Sequence, residues 1–180
     1  MRSQMKARRR HPVLLAVFLI SAVAFRAGPA AAPATLPTAS EVSGTFTLTY
    51  VGPPVAKGMN ANGRSVFIST AGGTNRNTGS GKYLSGARVL NVDTAAMVNG
   101  NGTHSGHATF TEGTSTVVKR FTGNTTTKVV KGQPESTFQG TWTIVRGTGR
   151  YAGITGNGTY KGRFESSTKY TVAWNGDTSG

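Results

Sequence analysis

His104 and His107 stand three residues apart, the one spacing in this chain that suggests a metal site. On a helix an H-x-x-H pair shares a face, but on a strand residues three apart point to opposite sides. The segment Thr103–Glu112 reads as a strand, and only six carboxylates exist in the chain to complete a ligand shell. No metal and no cofactor is expected. Gly147-Thr-Gly-Arg-Tyr-Ala-Gly153 is rich in glycine, yet it joins two strands, whereas a dinucleotide fingerprint opens a helix. There is no G-x-S-x-G elbow. With no cysteine in the chain, disulfides, thiolate metal sites and a cysteine nucleophile are excluded. No catalytic residue is assigned.

A ligand pocket is a different matter. His104 shares its strand face with Gly106, Ala108 and Phe110, so an inward Phe110 brings His104 inward beside small residues. One polar group in an apolar cavity orients a small ligand. The stretch Gly100-Asn-Gly-Thr-His-Ser-Gly-His107 is echoed by Gly156-Asn-Gly-Thr-Tyr-Lys-Gly-Arg163, which makes Tyr160 the counterpart of His104. Equivalent Gly-Asn-Gly starts imply two strands running the same way from one rim. Trp142 and Trp174 fall on apolar faces. These four residues are the candidate ligand contacts. The plainer alternative makes His104 a barrel-mouth histidine bonded to its neighbours, and the tryptophans simple core.

The elements that would position them are strands. Phe46, Leu48 and Tyr50 alternate with threonines, as do Phe138, Gly140, Trp142 and Ile144. Tyr160, Gly162 and Phe164, and then Tyr170, Val172 and Trp174, repeat the pattern. A period of two, broken every 8–12 residues by Gly or Asn, marks an all-β sandwich or barrel. Arg64–Thr70, Arg88–Val92, Thr103–Glu112, Thr116–Thr122 and Thr126–Val130 add further strands. Asp93–Val98 reads as a helical turn with Asp93 as its N-cap. Beyond Arg64–Thr70, the strand layout of residues 52–86 is left open. Short turns at Glu112-Gly113-Thr114 and Ser166-Ser167 make the second half an up-and-down meander. The fold class is all-β: a single antiparallel barrel of about eight strands, preceded by a signal peptide. Such a barrel is filled by its own side chains or holds one small ligand.

Arg2, Lys6 and Arg8–Arg10 precede the apolar run Val13–Phe25 and an Ala-rich stretch to Ala34. That order is a secretory signal, and the run is too short for the roughly 20 residues of a spanning helix. Residues 1–34 are assigned to the signal and cleavage region, 35–43 to a lead, 44–176 to the barrel and 177–180 to a tail. The exported part carries no transmembrane anchor and is periplasmic or extracellular. Six of the 20 Lys and Arg lie before Thr35 and none of the six Asp and Glu does, so the net charge falls from +14 to +8. The basic residues are scattered. They suit weak polyanion binding at most, with no specific nucleic acid.

The segment from Thr137 to Tyr160, and within it Gly147-Thr-Gly-Arg-Tyr-Ala-Gly-Ile-Thr-Gly-Asn-Gly158, resembles secreted bacterial proteins of the allene oxide cyclase/dirigent superfamily. The resemblance implies an eight-stranded barrel and, since relatives often assemble, a homo-oligomer. It implies no activity here. The plant cyclases carry a glutamate on their first strand, and Thr45–Val51 has no carboxylate. Dirigent cavity aspartates find no match if Asp93 lies in a turn and Asp177 in a tail. Three readings follow: a non-catalytic secreted barrel that holds a small, largely apolar ligand or simply persists as a stable envelope or extracellular protein; an isomerase or cyclase; and a polyanion-binding surface protein. The missing carboxylate disfavours the second, and the first is preferred. Mature protein from the envelope or medium should begin between Ala31 and Thr35; N-terminal sequencing that finds Met1 on exported material would refute the export reading.

Overall fold

The computed structural model describes residues 39–180; the expected signal and cleavage region and residues 35–38 of the expected lead lie outside them. Nine strands follow one another among the described residues: Ser40–Tyr50 (β1), Val55–Met59 (β2), Ser65–Asn77 (β3), Arg88–Val98 (β4), Asn101–Glu112 (β5), Ser115–Val130 (β6), Gln133–Thr148 (β7), Thr155–Phe164 (β8) and Lys169–Ser179 (β9). From β3 to β9 each strand pairs antiparallel with the next. Strand β1 then pairs with both β9 and β3, which closes an eight-stranded meander barrel. The short β2 is an extra strand along the first part of β3. Closure leaves the eight wall strands without a free edge.

Strong local signals sit where the chain reverses. Asn99-Gly100 and Lys131-Gly132 both take positive φ at each residue, the two-residue hairpin geometry whose twist matches that of the flanking strands. Together with the β1–β2 and β8–β9 loops they surround one end of the barrel. The opposite end is shut by the β3–β4 loop. There Leu84 is fully buried, and Asn75 Nδ2 donates to its carbonyl at 2.7 Å. Asn75 Oδ1 in turn accepts from Trp174 Nε1 at 2.9 Å. The barrel therefore has a mouth and a floor.

Several expectations are corrected. Asp93–Val98 is the second half of β4, not a helical turn. Asp93, Ala95 and Met97 continue the inward set begun by Val89 and Asn91, and pairing with β3 and β5 on either side overrides the local helical preference of Ala and Met. Thr116–Thr122 and Thr126–Val130 are one strand, β6, because Gly123 and Asn124 stay paired with Gly140 and Gln139. Ser40–Ser43 pair with β9 as far as Thr178, so the barrel reaches into the expected lead and tail, and Asp177 lies on a strand. The Gly156-Asn-Gly echo is not a turn: Gly156 already pairs with Thr178 inside β8. Three successive antiparallel pairings make β5 and β8 run in opposite directions, contrary to the common direction inferred from that echo.

Interior rings lie across glycines of the neighbouring strands. Trp142 faces Gly158, which faces Gly176, and a Cβ on either glycine would sit 2.7 Å from the Trp142 ring. Trp142 Nε1 reaches the carbonyls of Thr159 and Asn175 at 3.1 and 3.2 Å. Phe121 lies over Gly106, Phe138 over Gly162 and Trp174 over Gly44 in the same way. Gly158→Ala puts a methyl against both the ring and the Asn175 carbonyl. It should cost about 1–3 kcal/mol in denaturant unfolding, the usual cost of overpacking. Gly81→Ala, where the nearest atom lies 4.0 Å away, should be close to neutral; equal effects at the two positions would contradict this packing.

Candidate functional site

The mouth leads into a cavity of about 910 Å³ that runs down the barrel axis. Phe46, Phe67, Phe121, Phe138, Phe164 and Trp142 supply much of its wall. Against that apolar surface a few polar groups converge: Asn91 and Asp93 from β4, His104 from β5, Lys119 from β6, Tyr160 from β8 and Tyr170 from β9. Volume and composition both match a small-molecule pocket.

All four residues singled out in the sequence lie inside. His104 and Tyr160 are buried and share a hydrogen bond of 2.7 Å between Nε2 and the phenol oxygen. They meet although their strands run oppositely and two others lie between. His104 is paired with Gly123, Gly123 with Gly140, and Gly140 with Tyr160. The two glycines leave a bare strip along which the phenol reaches the imidazole; a Cβ on either would strike the Tyr160 oxygen. Thr125 Oγ1 lies 3.2 Å from His104 Nδ1 and occupies the other ring nitrogen. His107 is exposed on the opposite face, as the strand reading requires. Trp142 and Trp174 stand deeper, 3% and 4% exposed, packed edge to face with centroids 6.0 Å apart.

Two further residues were not expected here. Asp93 projects into the cavity from β4, and its Oδ1 is buried without a hydrogen-bond partner. The expected absence of a cavity aspartate is thus corrected. Its inward phase was hidden by the alanines that follow it, although Asn91, Asp93, Ala95 and Met97 keep the alternation. Lys119, one of the scattered basic residues of the sequence, is 3% exposed inside the barrel. Val117-x-Lys119-x-Phe121 carried the signal. Its Nζ has no hydrogen-bond partner among the described residues and lies 3.5 Å from the Trp174 ring centroid and 3.8 Å from that of Trp142, with Phe110 and Tyr83 further out.

Burial shifts these groups toward neutrality. It pushes the Asp93 carboxyl up to about 7, although hydrogen bonds from the backbone of Ser105 and Thr94 pull the other way. It lowers the His104 imidazole to about 4, so the ring is neutral at neutral pH. It holds the Lys119 amine well below the ordinary lysine value. Burial likewise raises the Tyr160 and Tyr170 phenols, with the nearby Asp93 charge adding to the effect, while Asn91 Nδ2 donates to the Tyr170 oxygen at 2.9 Å.

A closed antiparallel barrel with one blind end and one open, aromatic-walled end is the class these features define. Among solved structures the chain is similar to the pterocarpan synthase dirigent proteins GePTS1 and PsPTS1. Identity is 15% in both comparisons, covering 79% of this chain and 90% of the first, and 81% and 97% for the second, each with a TM-score of 0.41. At that level neither ligand nor activity is carried across. No family model matches the chain, and no curated protein matches it significantly.

The two perturbed groups act on stability in opposite senses. Asp93 titrates higher folded than unfolded, so its contribution is present at low pH and is lost as pH rises through about 7. His104 titrates lower when folded, so its contribution is present above the ordinary histidine value and is lost as pH falls toward 4. From pH 4 to pH 7, Asp93→Asn should therefore gain on wild type by up to about 3 kcal/mol, and His104→Gln should lose ground similarly. Urea unfolding across that range checks both signs; parallel slopes for the two variants would contradict the assignment.

Proposed function

We propose that this chain is an exported, non-catalytic barrel that binds one small, largely apolar ligand within its axis. The observation that carries the reading is the cavity of about 910 Å³, open at the mouth, walled by aromatic rings and supplied with few polar groups. An eight-stranded barrel has room for one small ligand at most. The His104–Tyr160 pair and Asp93 suit a molecule with one or two polar atoms, and the remaining wall suits a ring system or short chain. The imidazole that could move a proton is already bonded at both nitrogens, to the Tyr160 phenol and the Thr125 hydroxyl.

N-phenyl-1-naphthylamine, a neutral apolar fluorophore, should bind with one-to-one stoichiometry and a blue-shifted emission. Ala95 lines the cavity beside His104 on the adjacent strand. Ala95→Phe should weaken probe binding about tenfold or more while leaving the thermal midpoint within a few degrees of wild type. Equal binding to wild type and to the filled variant would show that the probe sits elsewhere and would remove the support for this reading.

A further inference from the structure

We propose that Lys119 is a carbonyl-capturing residue: its amine condenses with an aldehyde or ketone carried by an apolar molecule in the cavity, holding that ligand as an imine. This rests on the cavity reading above and names the chemical class of ligand it would take. Among the described residues, Lys119 is the one lysine or arginine that lines the cavity. Its side chain is almost wholly buried, and no carboxylate, carbonyl or hydroxyl of the described residues bonds its Nζ. A buried lysine kept for stability is ordinarily paired. This one is held only by ring faces, which tether it to nothing directional. The rings enclose the amine, so capture requires the four-carbon stem to turn it toward the cavity, a movement that breaks no hydrogen bond among the described residues.

The chemistry suits the surroundings. An amine desolvated in an apolar pocket is pushed toward its neutral form, and the neutral amine, with its free lone pair, is the state in which lysine attacks carbonyl carbon. The lone pair forms the C–N bond while the C=O π pair moves to oxygen. Both amine hydrogens end on that oxygen, which departs as water as the C=N bond closes. No oxidant, reductant or further co-reactant is needed. The water leaves through the open mouth.

2-Naphthaldehyde with cyanoborohydride at pH 7 tests this on the intact protein. The expected result is one naphthylmethyl group, mapped by peptide mass spectrometry to Lys119, forming about tenfold faster than at exposed Lys57 or Lys161. Lys119→Met should lose that label while still binding N-phenyl-1-naphthylamine. Labelling confined to exposed lysines, with the fluorophore still bound in the cavity, would overturn the imine and leave the cavity reading standing. Failure of both probes to occupy the barrel would overturn the two together.

Discussion

The contact on which the interior depends is an aromatic ring laid flat across glycines of the adjoining strands. A tryptophan or tyrosine standing upright on the wall would project into the axis, and eight strands leave little width for that. Where the facing residue is glycine the ring can lie along the wall instead. Trp142 over Gly158 and Gly176, and Tyr160 over Gly140 and Gly123, each cross two strands in this way. The rings bury large apolar area against backbone and replace the missing side chains of the glycines, which would otherwise weaken the strands. Because the rings occupy the wall, the axis stays open. Cavity and core are therefore one arrangement, with the glycines setting both.

That arrangement also decides the electrostatics. Rings on every side remove water from the groups among them, so Asp93, His104 and Lys119 are all pushed toward their neutral forms. The responses differ because the partners differ. His104 meets a phenol and a hydroxyl, one at each ring nitrogen, and is satisfied as a neutral base. Asp93 keeps one oxygen unpartnered and Lys119 its whole amine. Elsewhere charges are handled conventionally: Arg150 pairs with Glu112 near the floor, and Lys169 with Glu165 at the mouth, both toward solvent. The unpaired polar groups thus lie where solvent screening is least and the cost of leaving them unpaired is greatest.

Much of the barrel was legible because a period of two survives wherever one face is apolar, as in Phe46-x-Leu48-x-Tyr50 and Tyr170-x-Val172-x-Trp174. It faded where the inward residue was not apolar. Asp93 followed by alanines reads locally as a capped helix, and only pairing with two neighbouring strands makes it a wall residue. Lys119 beside Arg120 reads as surface charge, and its phase shows only against Val117 and Phe121. A shared position for His104 and Tyr160 at one end of the interior was inferred from a repeated Gly-Asn-Gly start. The two side chains meet, but for another reason: glycines of β6 and β7 clear the path between oppositely directed strands. Register across four strands is a tertiary property, and no local pattern encodes it.

A fold that needed only stability could close its axis with larger side chains and replace Lys119 by an apolar residue of similar length. Replacing buried charge by apolar groups is often neutral or stabilising, and filling an open cavity recovers dispersion contacts that empty space forfeits. This chain instead keeps Ala95 and Ala108 along one inward strip beside Asp93 and Lys119. The strip lies on β4 and β5, between the sealed floor and the mouth. An entering molecule would supply the missing apolar contacts and a partner for the unpaired groups together, and its binding would add directly to the stability of the closed barrel. On the proposed reading, the open axis and the unpaired polar groups have one physical explanation: a bound ligand would complete the packing of this core.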